Sequence, residues 1–99
     1  MATKLRRSSG NVFRDLGFPP AEAENLRIRS ELIARLRKMI EADGLTQAAA
    51  ARFFGVTQPR VSDLVRGRIE LFSIDTLVNM LAKAGVRVTV STRTRKRAA

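Results

Sequence analysis

Three polar side chains at helical spacing, Gln58, Ser62 and Arg66, carry the chemistry that stands out in this sequence. Residues four positions apart project from one face of a helix, so an amide, a hydroxyl and a guanidinium would form a single row. Such groups hydrogen-bond to base edges in the major groove of B-DNA or bind its phosphates. The row therefore predicts a helix that lies in the groove of a duplex.

Two short helices within the stretch LTQAAAARFFGVTQPRVSDLVRG, residues 45–67, would have to hold this row in place. Thr46 is expected to cap the first helix at Gln47, because a threonine hydroxyl accepts hydrogen bonds from the free N–H groups of a helix start. Thr57 is expected to cap the second helix. Pro59 then falls in its first turn, where the missing N–H would have had no intrahelical partner.

A tight turn at Gly55 is expected to join the two helices with positive φ, which glycine adopts without a Cβ clash. Ala51 is small enough to let the helix axes approach where they cross. The predicted buried wedge between the helices consists of Phe54, Val56, Val61 and Leu64. The residues left outside this wedge form the predicted binding face, namely Gln58, Pro59, Arg60, Ser62, Asp63 and Arg66.

This stretch resembles the helix-turn-helix of Cro/C1-type (XRE family) regulators. The matching helix-start, small, turn and core positions are Gln47, Ala51, Gly55, Val61 and Leu64. Many relatives carry Glu at the position of Ala49 and close a capping box onto Thr46, which this chain lacks. The resemblance implies a lambda repressor-like fold that binds double-stranded DNA; the alternative is an ordinary helical hairpin with a chance glycine.

Within this interpretation the residues divide by role. Gln58 is predicted to be the main base reader, because its amide suits the N6/N7 edge of adenine, with Arg60, Ser62 and Asp63 as secondary candidates. Gln47 is predicted to position the protein on the backbone, and Arg68 to bind phosphate. The complete set of predicted DNA contacts is Thr46, Gln47, Thr57, Gln58, Pro59, Arg60, Ser62, Asp63, Arg66 and Arg68.

Length and composition exclude several other functions. A chain of 99 residues makes one small domain, and it contains neither cysteine nor histidine. Disulfides, thiolate metal sites and the commonest general base are therefore absent, and we predict no catalytic residue, metal or cofactor. No apolar run approaches the roughly 20 residues that a membrane span needs, so a cytoplasmic protein, nucleoid-associated when bound to DNA, is expected.

The net charge of +10 lies mostly near the two ends of the chain. Residues 1–18 contribute +3 and residues 87–99 contribute +5, against +2 for residues 19–86. Basic ends favour nucleic acid in a salt-dependent, sequence-independent way. RNA binding through the ends is therefore one alternative, and a solvated tail over residues 92–99 is another.

The helical periodicity extends well beyond the motif. A long amphipathic helix is predicted over residues 24–42, and a last helix is predicted after Ser73, with Phe72 and Leu77 spaced as a hydrophobic staple. The expected fold is all-α, a compact bundle of four to five helices with a short C-terminal β-strand. Its expected divisions are a basic, partly apolar arm (1–23), a DNA-binding domain (24–91) and a disordered basic tail (92–99).

The N-terminal arm holds four apolar residues in a segment too short to bury them by itself. They must pack on the domain, on a second copy or on another protein, and they are Val12, Phe13, Leu16 and Phe18. The motif NVFRDLGF resembles the start of HigA-type antitoxins, which implies a HigB/RelE-like toxin partner and repression of a shared operon. We expect the arm to bind that toxin. The alternative is a stand-alone, phage-type regulator.

At the C-terminal end the apolar period changes from 3.6 to 2, because Val86, Val88 and Val90 alternate with polar residues. This pattern predicts a half-buried strand over residues 86–91. With no obvious partner in the chain, the strand is expected to pair with its twin in a homodimer; a bridge to the arm and addition to a toxin's sheet are alternatives. A dimer would place two groove helices on a palindromic operator, about 34 Å apart.

Overall fold

One long helix provides the surface on which the other elements pack. The computed structural model describes residues 10–94, and its longest helix, α2, runs from Pro20 to Ala42. The sequence predicted a start at residue 24, but the helix begins earlier because Pro20 lies in its first turn, where a missing N–H costs nothing. Pro19 is therefore the N-cap residue of the helix, and Pro20 is its first residue.

Within residues 10–94 the regular structure is entirely helical. The elements are α1 (Val12–Asp15), α2 (Pro20–Ala42), α3 (Gln47–Phe54), α4 (Gln58–Val65), a 3₁₀ turn (Ile69–Leu71) and α5 (Ile74–Lys83). The helical part of the prediction agrees with this arrangement, and α3 and α4 are the two helices of the helix-turn-helix. No helix in the described part of the chain is both long and apolar enough to cross a membrane.

The hydrophobic core lies between α2 and the three shorter helices that follow it. Burying one large apolar side chain contributes roughly 1.5–3 kcal/mol, so these contacts dominate the stability of the fold. The largest fully buried side chains are Phe54, Phe72, Leu36, Leu64, Leu77, Met80, Leu81 and Val61. The predicted staple is present, because Phe72 and Leu77 are both buried on either side of Ser73, whose Oγ caps α5 by accepting from the Thr76 N–H at 3.1 Å.

Every α-helix of the described chain is followed by a glycine in the left-handed region. After each helix two N–H groups fold back onto carbonyls of the last turn, the Schellman arrangement that a left-handed residue permits. The glycines are Gly17, Gly44, Gly55, Gly67 and Gly85. Each helix therefore ends abruptly, and the chain reverses within a few residues.

Asn11 attaches the short helix α1 to α2. Its Oδ1 accepts a hydrogen bond from the Phe13 N–H at 2.9 Å, and its Nδ2 donates to the Ala23 carbonyl at 3.1 Å. Both Asn11 and Ala23 are buried. The beginning of the arm therefore packs on the domain itself, which was one of the three packing partners predicted for the arm.

The prediction of a C-terminal strand over residues 86–91 is wrong. These residues pair with no other described segment, and residues 10–94 contain no β-strand. Val86 and Val88 pack instead against the hydrophobic core, while Val90 is 80% exposed. The period of two therefore reflects the packing of Val86 and Val88 on the core, and strand pairing no longer supports a role for the three valines in dimerisation.

The predictions of disorder concern the ends of the chain. Residues 92–94 are exposed and lie outside any helix or strand. The rest of the predicted tail, residues 95–99, lies outside the described residues, and so do residues 1–9 of the arm.

Candidate nucleic-acid interface

The helix-turn-helix is capped at both of its helix starts, as the sequence predicted. Thr46 Oγ1 accepts a hydrogen bond from the Ala49 N–H at 3.1 Å, and Thr57 Oγ1 accepts one from the Arg60 N–H at 3.4 Å. Both caps are exposed, and so is Gln47, the first residue of α3. The cap of α3 forms on the threonine alone, although Ala49 cannot close the capping box.

Gly55 turns the chain between α3 and α4 with φ +69°. Its backbone is covered by the stem of Lys83 from α5, because a Cβ at this position would lie 2.6 Å from Lys83 Cδ. The left-handed conformation favours glycine here, and a Cβ would also have to displace the Lys83 stem. Nothing in the sequence indicated the contact with Lys83, which comes from a helix outside the motif.

The underside of the motif is buried. Val61 and Leu64 of α4 are 0% exposed, Phe54 and Ala51 of α3 are buried, and Val56 packs against the same core at partial exposure. The predicted wedge is therefore present, and it fixes the rotation of α4 about its own axis. That rotation decides which side chains of α4 face outward.

The outward face of α4 carries the predicted row. Gln58, Pro59 and Arg66 are exposed, and Ser62 and Asp63 are partly exposed. None of them belongs to the hydrophobic core. Of the ten predicted DNA contacts, α4 and its two flanking residues thus bring seven together; Thr46 and Gln47 lie at the start of α3, and Arg68 lies in the turn after α4.

Arg60 differs from its neighbours on α4 because it lies against the fold. Its Cζ is 4.8 Å from the centroid of the buried Phe72 ring, within the range of a cation–π contact, and the residue is half-buried. Phe72 precedes α5, so the contact joins α4 to the segment that follows the 3₁₀ turn. Sequence spacing placed Arg60 on the binding face but could not detect this partner.

Arg29 of α2 forms hydrogen bonds with the 3₁₀ turn and with the residue that follows it. Its Nη1 donates to the carbonyls of Ile69 and Phe72 at 3.2 and 3.3 Å, and its Nε donates to Asn25 Oδ1 at 2.7 Å. These carbonyls lie 40 and 43 residues further along the chain. Nothing in the sequence indicated this role for Arg29, because the periodicity of a helix does not show a bond across such a separation.

The end of α4 is a rigid basic turn. The N–H groups of Gly67 and Arg68 donate to the carbonyls of Leu64 and Asp63, both at 3.0 Å, which fixes the backbone of Arg66-Gly67-Arg68. Arg37 of α2 also reaches this turn, because its Nη1 is 3.7 Å from the position of a Cβ on Gly67. Arg66, Arg68 and Arg37 are all exposed.

Two glutamates of α2 pair with Arg27, an arginine that lies outside the basic turn. Arg27 donates hydrogen bonds to Glu24 and Glu31, one on each side along the helix. The bond from Arg27 lowers the pKa of Glu24, and the bond to Glu24 raises the pKa of Arg27. Both ion pairs found among residues 10–94 belong to this trio. Arg66 and Arg68, at the end of α4, form no ion pair with any residue of this described range.

The predicted partner-binding residues of the arm lie on or beside α1. Val12 and Leu16 are 59% and 69% exposed, Phe18 is 39% exposed, and Phe13 is half-buried. The rings of Phe13 and Phe18 meet edge to face with their centroids 6.2 Å apart. Packing on α2 therefore covers only part of the apolar surface of the arm.

Comparison with known proteins assigns the fold to a family. A family model described as a helix-turn-helix domain matches residues 12–93. A solved structure assigned to the XRE family of transcriptional regulators superimposes with a TM-score of 0.70 and 35% sequence identity, over 79% of this chain and 90% of the other. The curated proteins gave no match. With its motif, its packing and these similarities together, the chain belongs to the XRE family of helix-turn-helix proteins.

Proposed function

We propose that the protein is a sequence-specific DNA-binding transcriptional repressor whose helix α4 enters the major groove. The observation that carries this proposal is the division of α4 into a buried apolar side and an outward polar side. Membership in a family of DNA-binding regulators supports it as well.

The division of α4 supports specific roles for the residues of its outward face. Gln58 would be the main base reader, because it is exposed at the first position of the helix. Ser62 and Asp63 would make secondary base contacts. Arg60 would do the same from a side-chain position that its contact with the Phe72 ring restricts. Thr46, Gln47, Thr57 and Pro59 would lie against the sugar-phosphate backbone, together with Arg66 and Arg68.

The base-reading role can be measured with Gln58→Ala. We expect it to weaken binding to the operator by roughly 1–3 kcal/mol and to relax sequence preference, since a base contact is lost. Asn79→Ala removes an exposed amide from α5 and serves as the matched control. Gel-shift titrations with the DNA upstream of the gene provide the readout, and equal operator affinities for the two variants would refute the orientation of α4.

We propose further that the protein acts as a homodimer on a two-fold symmetric operator. Helix-turn-helix dimers present two groove helices to half-sites about 34 Å apart, so a palindrome in the footprint would support the assignment. Of the three valines assigned to dimerisation, Val90 is the one that is largely exposed. A contact through Val90 would require no strand pairing.

The third part of the proposal is that the protein is the antitoxin of a HigB/RelE-like toxin and represses their shared operon. The exposed apolar side chains of Val12, Leu16 and Phe18 support a protein partner at the arm, because such groups gain free energy when a partner covers them. Asn11 would preorganise this segment by tying α1 to α2.

Co-expression with the neighbouring gene product tests the partner. The full chain should retain that product through purification, and Leu16→Ser should weaken the retention because it removes a 69% exposed apolar group from the arm. Leu71→Ser, at a 39% exposed leucine of the 3₁₀ turn, is the control. A wild-type protein that binds its operator but never retains the neighbouring product would be a stand-alone regulator.

A further inference from the structure

The side chain of Arg37, on α2, forms no ion pair or hydrogen bond with any residue in the range 10–94, although a carboxylate is available to it. Glu41 lies four residues further along the same helix, the spacing at which Arg27 pairs with Glu31. Arg37 instead extends to the turn after α4, where its Nη1 is 3.7 Å from the Cβ position of Gly67. Its guanidinium donors remain available to a bound anion.

The turn that Arg37 reaches is itself basic and rigid. Arg66 and Arg68 flank Gly67 in the chain, and backbone bonds from Gly67 and Arg68 to α4 hold the turn in one conformation. Two arginines of the turn and the tip of Arg37 therefore meet at Gly67, and none of the three forms an ion pair among the described residues. Guanidinium groups bind phosphate through fixed pairs of N–H donors.

From this arrangement we infer that Arg37 completes a three-arginine phosphate site with Arg66 and Arg68 at the C-terminal end of α4. The ligand is a phosphodiester of duplex DNA, next to the groove that α4 would occupy. The inference rests on the proposed function, because it assumes that α4 meets a duplex. It extends the interface to α2, a helix outside the helix-turn-helix.

The competing explanation is that Arg37 only stabilises the negative end of the α4 helix dipole. The two explanations differ in what is lost on substitution. A phosphate contact contributes to the dependence of DNA affinity on salt, whereas a dipole interaction contributes to folding stability alone. Both quantities can be measured on the same variant.

The experiment uses the full chain and a fluorescein-labelled duplex of mixed sequence, about 20 bp long, because a phosphate contact is independent of sequence. Affinities are measured by fluorescence anisotropy between about 50 and 200 mM NaCl. Arg37→Met should reduce the magnitude of the slope of log K against log salt by about 0.9 per bound chain, because one phosphate contact disappears. Arg37→Lys, which keeps the charge, should retain the wild-type slope.

Arg35→Met is the matched control, since Arg35 is also exposed on α2 but lies two residues away on a different side of the helix. Its slope should equal that of the wild type. An unchanged slope for Arg37→Met, with or without a lower Tm, would overturn the inference, and so would equal slope changes in Arg35→Met and Arg37→Met. A wild-type chain that does not bind the duplex at all would instead refute the proposed function.

Discussion

The helix-turn-helix and the C-terminal segment show opposite relations between pattern and structure. In residues 45–67 the two threonine caps and the glycine turn form their hydrogen bonds within the same stretch. In residues 86–94 a clear alternation of valines produced no strand, because Val86 and Val88 pack against the hydrophobic core and no other described segment pairs with them. A sequence pattern determines local structure most reliably when the residues that satisfy it are close in the chain.

The largest expected effect tests whether the underside of α4 belongs to the core. Leu64→Ala should lower the free energy of unfolding by roughly 2–5 kcal/mol, since Leu64 is 0% exposed and its removal leaves a cavity. Leu16→Ala, at a 69% exposed leucine of the arm, should change it by less than about 0.5 kcal/mol. Urea denaturation of both variants measures the difference, and similar midpoints would contradict the assignment of the core.

A smaller effect tests how far the motif depends on a residue outside it. Gly55→Ala and Gly44→Ala both place a side chain in the left-handed region, at a cost of about 1–2 kcal/mol. Gly55→Ala should cost more, because its Cβ meets Lys83, whereas Gly44 has open space. Adding Lys83→Ala should remove the excess. Equal unfolding free energies for the two single variants would show that the Lys83 stem yields freely.

The smallest effect tests the docking of the C-terminal segment. Val88→Ser should destabilise the fold by roughly 1 kcal/mol, because Val88 packs against the core, while Val90→Ser should change it by less than about 0.5 kcal/mol. Thermal unfolding at two protein concentrations provides the measurement. A larger loss for Val90→Ser that shrinks as the protein is diluted would instead place Val90 in a contact with a second chain, because association stabilises the wild type only at higher concentration.

Much of the fold was predictable because helical signals are local. The threonine caps at Thr46 and Thr57, the reversal at Gly55 and the burial of Val61 and Leu64 all follow from residue types at fixed spacing. The start of α2 was misjudged because a proline that usually ends a helix is equally suited to its first turn.

The missed features share a different property. Arg29 bonds to carbonyls 40 and 43 residues away, Lys83 covers Gly55 from α5, and Arg37 reaches Gly67 from α2. Each is a long cationic side chain whose own helix gives no sign of its target. Contacts of this kind depend on how the helices cross, and that geometry appears only in three dimensions.

The five glycine reversals have a consequence for folding kinetics. Four of them connect consecutive helical elements through short turns and Gly85 ends the last helix, so most neighbours in space are also close along the chain. Helical proteins with such local topology reach the native state in microseconds to milliseconds, because little loop-closure entropy is lost before stabilising contacts form. After rapid dilution from denaturant, the chain should therefore recover its tertiary structure on that timescale, without the delay that pairing of distant strands imposes.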